Sequence, residues 1–182
     1  MCGASTGPGR LEKGILLDTI LAQQILAALI TAPAALAHDA AGRIETDDFE
    51  DWKYRTIFDA WQQCELAGYP TPGSVLVQIN ARLLAAGHYR DTDNGLRALV
   101  AELAGIAGHP EQLPAFVNEL VEHRFRRAAV DYARAVAAHA HGSPLEDIRD
   151  ALNGITELRR LYGRITATRP RLVSVTKNGG AA

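Results

Sequence analysis

The chain has 182 residues, enough for one hydrophobic core of real size, and reads as a single domain or a domain with an appendage. Its residues are 47% hydrophobic and 22% charged with a mean hydropathy of -0.07, which argues against both a disordered chain and a membrane protein. A formal net charge of -2 supplies no whole-protein attraction to nucleic acid, so any such contact needs a local basic patch.

Residues 1–13 are rich in Gly, Ser, Thr and Pro and are expected to be a flexible tail. From residue 15 to 31, Leu17, Ile20, Leu21, Ala28 and Leu29 recur at helical spacing, with Asp18, Gln23 and Gln24 on the wet side. Pro33 restarts the chain into a short helix that Gly42 ends. Glu45, Asp47, Asp48, Glu50 and Asp51 come next. They could hold a cation, but carboxylates just before a helix complement its N-terminal dipole, and the capping reading is preferred. The helix from 52 to 66 turns Trp52, Ile57, Phe58, Trp61 and Cys64 inward and is expected to form the heart of the core. Gly68-Tyr69-Pro70 stops it, and Thr71-Pro72 starts a helix carrying Val75, Leu76, Ile79, Leu83 and Leu84. Residues 90–95 resemble a calcium loop, with Glu102 in the twelfth position from Asp91, but Leu96 takes the place of the turn glycine. An ordinary polar turn before the helix from 96 to 106 is the better reading. Residues 105–110 form a connector.

Residues 114–165 read as two long helices joined back to back. Val117, Val121, Phe125, Ala128, Tyr132 and Val136 form an apolar stripe on the first arm, and Glu122 with Arg126 and Arg127 with Asp131 are four-residue charge pairs. Gly142 is expected to end that arm in a left-handed conformation. Ser143, Pro144 and Glu146 then fit a capping box. The second arm carries Leu145, Ile148, Leu152, Ile155, Tyr162 and Ile165, widened by Leu158 and Leu161. So short a turn between two helices forces an antiparallel hairpin, each arm roughly 35–40 Å long at ~1.5 Å per residue. Its apolar surface wraps further than one partner helix covers, which predicts packing against a second copy or another protein. No period-two pattern runs anywhere, so the fold expected is all-α: a small helical bundle at 14–110, the hairpin at 111–167, and a flexible tail at 168–182.

Catalytic motifs are missing from the sequence. Gly3-Ala4-Ser5-Thr6-Gly7-Pro8-Gly9-Arg10 lacks the Gly-Lys-Ser/Thr ending of a phosphate loop. The six histidines form no His-x-x-x-His pair, and Cys64 falls on a core stripe, which argues against a thiol nucleophile. Cys2 and Cys64 have neither metal-ligand spacing nor disulfide density and are expected to be free thiols. No segment reaches the ~20 apolar residues of a spanning helix, and residues 1–10 lack the core of a signal peptide, so a cytoplasmic location is the default expectation. No cofactor or metal is expected, and no enzymatic activity.

The order of these pieces resembles the N-terminal domain of the bacterial replicative DNA helicase, the DnaB-like family. Gln24-Ile25-Leu26-Ala27-Ala28-Leu29-Ile30 and Pro33-Ala34-Ala35-Leu36 are similar to its first helix and the "D-P-x-x-L" opening of its second. Asp47-Asp48-Phe49 resembles its "x-D-F", Tyr54-Arg55-Thr56-Ile57-Phe58-Asp59-Ala60 its "H-R-x-I-F-x-A", and Gly68-Tyr69-Pro70-Thr71-Pro72 its "G-x-P-I-D". The run from Phe116 through Arg127 is similar to its hairpin opening, "Y-A-x-I-V-x-x-x-x-x-R-R", with Phe116 in place of tyrosine. The family's "N-x-P-S-A-A-N" connector is replaced by Gly105-Ile106-Ala107-Gly108-His109-Pro110. The resemblance spans about residues 16–165 and implies a helical bundle that pairs through its hairpin into dimers, three of which build a collar beside the ATPase ring and dock primase. The sequence contains no Walker A loop and no RecA-like region, so either an excised domain or a stand-alone relative is expected, the ends, Met1 and the glycine-rich 178–182, favouring the second.

Two functions are therefore expected. One is a non-catalytic replication module, a dimer or trimer of dimers, joined through Val117, Val121, Phe125, Ala128, Tyr132, Val136, Leu145, Ile148, Leu152 and Ile155 and docking a helicase, primase or helicase loader. The alternative is a small DNA-binding regulator using Arg124, Arg126, Arg127, Arg159, Arg160 and Arg164, with Arg169 and Arg171 beyond them. A solvated arginine face is the commoner meaning of such a pattern.

Overall fold

A computed structural model describes residues 9–66, 72–90, 95–140 and 142–168 of the chain. Gly68-Tyr69-Pro70-Thr71, the centre of the calcium-like loop at 91–94, His141, Cys2, Arg169, Arg171 and the two terminal tails lie outside them. Among the described residues there are eight α-helical segments and no strand: α1 (Gly9–Thr31), α2 (Ala34–Ala41), α3 (Trp52–Leu66), α4 (Pro72–Ala85), α5 (Leu96–Gly105), α6 (Leu113–His139), α7 (Leu145–Asn153) and α8 (Ile155–Thr168). Short 3₁₀ turns precede α3, at Thr46–Asp48, and α6, at Pro110–Gln112. The all-α expectation holds. The first helix begins at Gly9, inside the stretch expected to be a tail.

The chain divides into two compact units, Met1–Arg127 and Ala128–Ala182, so the division falls inside α6 and well past the boundary expected near residue 110. In the first unit α1 is the hub, in contact with α2, α3, α4, α5 and the 3₁₀ turn at Pro110–Gln112. Its inner surface is small-featured: Ala22, Ala27 and Ala28, with Ala32 just past its end, are buried alongside Ile25, Leu26 and Leu29, which lets neighbouring backbone come close. Gly108 uses that room. A Cβ built on it would fall 2.5 Å from the Ala27 carbonyl oxygen and 2.9 Å from the carbonyl carbon, and into the Thr31 hydroxyl. That hydroxyl is itself held, donating to the Ala27 carbonyl at 2.9 Å.

Against α1 lie Ile57, Phe58, Trp61 and Cys64 of α3, Val75, Ile79 and Leu83 of α4, and Leu96, Leu99, Val100 and Leu103 of α5, all buried. The rings are arranged, not merely enclosed: Phe58 stacks on Trp61 at 6.2 Å, and Phe49 tilts against Phe58 at 5.4 Å. The expected inner face of α3 is therefore present with one exception, Trp52, which is 48% exposed at the helix start. Leu84 and Ile20 are likewise exposed.

The first turns of α6 also belong to this core. Leu113, Val117, Leu120 and Val121 are buried, Val117 completely. This corrects the expectation that Val117 and Val121 open a self-association stripe: Val117 packs within the first unit's core and Val121 is buried as well.

In the second unit, α6 ends at His139 and Gly142 takes φ 92°, the left-handed conformation expected at the turn. The capping box does not form. Pro144 is the N-cap of α7 and no side chain caps it; Ser143 Oγ instead meets His139 Nδ1 at 3.2 Å. The second arm is not one helix either, since the chain turns at Gly154 between α7 and α8. Tyr132 of α6 lies against that turn, its Cδ2 3.0 Å from where a Gly154 Cβ would stand. Leu161 is completely buried.

Candidate functional site

Two features stand out, one in each unit. The first is a cavity of about 180 Å³ in the first unit, lined by Asp18, Thr19, Ala22, Asp48, Phe49, Glu50, Asp51, Tyr54, Leu120 and Arg127. Its polar side is assembled by three elements. The segment before α3 is folded by its own carboxylates: the Glu45 backbone N–H donates to Asp48 Oδ2 at 2.9 Å, and the Lys53 backbone N–H donates to Asp51 Oδ1 at 2.8 Å. The capping reading of these acids is therefore right for Asp48 and Asp51. Arg55 of α3 fixes the same segment, donating from Nε to the Phe49 carbonyl at 2.7 Å and from Nη2 to the Glu50 carbonyl at 3.1 Å.

Onto this frame α6 projects Arg127 and His123. Arg127 donates from Nη2 to the Asp48 carbonyl at 2.8 Å and from Nη1 to Glu50 Oε2 at 2.9 Å. His123 Nδ1 lies 2.6 Å from Asp18 Oδ1, and Arg127 Nη1 lies 4.0 Å from Asp18 Oδ2. Asp18, read from the sequence as a wet-side residue, thus sits in a charged cluster with 17% of its side chain exposed. Burial and the facing Glu50 carboxyl push it above the usual carboxylate range, against the pull of His123 and Arg127. Burial acts in the same sense on Glu50, but hydrogen bonds from Asp18 and Arg127 and the charges of Arg127 and Arg55 outweigh it and hold Glu50 below its usual range. Burial, with Asp51 and Glu102 nearby, pushes the Tyr54 hydroxyl up to about 12. No sequence motif announced this cluster; its members come from α1, the segment before α3 and α6, far apart in the chain.

The structure removes Arg127 from the expected nucleic-acid face, since its guanidinium is spent on Glu50 and Asp48 instead of the expected Asp131, which pairs with Arg134 at 3.8 Å. Exchanging Arg127 for methionine keeps the stem and removes both bonds. The expected cost is about 1–2 kcal/mol, reduced because half of Glu50 faces water, read as a lower midpoint of urea unfolding. Arg126 pairs with Glu122 at 3.3 Å and Arg160 with Glu157 at 2.8 Å. Arg159 is exposed and Arg124 and Arg164 are half-buried.

The second feature is apolar. In the second unit Val130, Leu145, Leu152, Ile155 and Tyr162 are all exposed, Leu145 to 83%. Leu145 and Leu152 are seven residues apart on α7 with the half-buried Ile148 between them, and Ile155 and Tyr162 are seven apart on α8, so each pair shares a helix face. Ala128, Tyr132 and Val136 on α6 are half-buried, as is Phe125 in the first unit.

No protein-family model, curated protein or solved structure matches the chain. Its function must be argued from its own residues. Among the described residues no three His, Cys, Asp or Glu side chains converge in a way that could hold a metal ion, and no helix is long and apolar enough to cross a membrane.

Proposed function

We propose that the chain is a non-catalytic DNA-replication module that self-associates through residues 128–168, as a dimer or trimer of dimers, and docks a helicase, primase or helicase loader. The resemblance to the N-terminal domain of DnaB-like helicases motivates the partners. The observation that carries self-association is the exposure of Leu145, Leu152, Ile155 and Tyr162 in a unit of this size, where large apolar side chains ordinarily mark an interface. With Val117 and Val121 buried, the interface we propose reduces to Ala128, Tyr132, Val136, Leu145, Ile148, Leu152 and Ile155, with Phe125 just before it on α6.

Light scattering on a sizing column over a range of concentration tests this, because self-association follows mass action. The wild type is expected to be an oligomer at micromolar concentration. Leu152→Asp with Ile155→Asp is expected to weaken the association by at least ~100-fold, since each change removes apolar burial worth about 1.5–3 kcal/mol and adds a charge. Both positions are open to solvent in the isolated chain, so the variant should keep its helical content. A wild type that stays monomeric at every concentration would end the self-association reading, and pull-down against helicase, primase and loader would then test docking alone.

A further inference from the structure

We propose that the cavity of the first unit, with its rim at residues 47–52, takes an arginine side chain from a basic segment of a partner protein, the guanidinium held at the rim and the stem lying on the cavity floor. Charge complementarity argues for that occupant. Residues 45–55 contain five carboxylates, Glu45, Asp47, Asp48, Glu50 and Asp51, against Lys53 and Arg55, a formal charge of -3 where the whole chain has -2. Asp18 and Arg127, which line the same cavity from α1 and α6, offset each other. The local cations are directed into the fold: Arg127 onto Glu50 and the Asp48 carbonyl, Arg55 onto the Phe49 and Glu50 carbonyls, and the Lys53 amine to 3.5 Å from where a Gly95 Cβ would stand. Solvent therefore meets Asp47, its side chain 75% exposed, and Asp51, also exposed.

A second, independent observation is aromatic. Trp52 directly follows Asp51 in the chain, and of the stripe that α3 turns to the core it alone stays outside, 48% exposed. Tryptophan and arginine are enriched among the residues that anchor protein interfaces. A guanidinium stacks flat on an indole while its fork of N–H groups donates to carboxylates, whereas an ammonium has no plane to stack. Behind the rim, Ala22, Phe49 and Leu120 give the cavity an apolar floor, and all three are closed to solvent. The methylene stem of a long cationic side chain loses water on such a surface while its head stays at the polar edge. A bare metal ion would use the carboxylates but leave the apolar floor and the exposed indole without a role.

Amide NMR of the full chain, titrated with a short blocked alanine peptide carrying two arginines, tests the site. Shifts that saturate by ~10 mM peptide are expected at Phe49, Glu50, Asp51, Trp52 and Leu120, with affinity falling as salt is raised. The same peptide with lysines is expected to bind more weakly, and with glutamates not at all. Trp52→Ala and Asp51→Asn are each expected to weaken the arginine peptide about three- to tenfold. Both positions are exposed, and an asparagine at 51 still accepts from the Lys53 amide, so both variants should keep their helical content. The self-association variant, Leu152→Asp with Ile155→Asp, is expected to bind the peptide as the wild type does, which separates this site from residues 128–168. Absence of a saturable shift, equal binding of the arginine and glutamate peptides, shifts confined to residues 128–168, or full affinity in both Trp52→Ala and Asp51→Asn would each overturn the proposal.

Discussion

Truncating Trp61 to alanine is expected to lower stability by about 4 kcal/mol, a large share of the ~5–15 kcal/mol that a domain of this kind possesses. The indole is 1% exposed and stacked on Phe58, in a core where Ile57, Phe58 and Cys64 of the same helix are equally enclosed, so the cavity left behind has no flexible neighbour to fill it. Urea unfolding followed by circular dichroism measures the loss. Trp52→Ala is the internal control: that ring is 48% exposed and its removal is expected to cost less than ~1 kcal/mol. Equal costs at the two tryptophans would contradict the placement of α3.

Gly108→Ala is expected to cost about 3 kcal/mol although it adds a single methyl group and improves backbone propensity. The added carbon would meet the backbone of α1 at Ala27, 2.5 Å from a carbonyl oxygen already engaged by Thr31, and backbone cannot rotate aside as a side chain can. The connector would have to lift from α1, and α6 begins only five residues later, at Leu113, whose side chain is completely buried. A Tm lowered by ~10 °C is the expected readout. Gly105→Ala, at a position where a Cβ meets nothing, is expected to be neutral and separates the steric cost from any general sensitivity of the connector.

Most of the core was legible in the sequence because helical periodicity alone selects Leu21, Leu29, Ile57, Phe58, Trp61, Val75, Ile79 and Leu83, and all of them are buried. Periodicity locates a stripe but not its edges, which depend on where neighbouring helices end; hence Trp52, Ile20 and Leu84 fall on inward stripes yet stand in solvent. The same limit explains α6, where one unbroken stripe from Val117 to Val136 serves a buried core at its start and a more open surface further on. The charged cluster was invisible for a different reason. Asp18, Glu50 and Arg127 are each unremarkable in local context, and only tertiary folding brings them together, with 108 residues of chain between Asp18 and Arg127. At Gly154 the sequence shows a glycine within a helical pattern, but not that the Tyr132 ring lies close against it.

That last contact makes residues 132 and 154 a single unit of volume shared between two distant positions. A side chain at 154 fits only if the ring at 132 gives by a few tenths of an ångström, which a smaller residue at 132 makes unnecessary. In any set of relatives the two sites should therefore vary as a pair, so that the bend between α7 and α8 leaves its trace in evolution as a correlation of side-chain size, not as an invariant glycine.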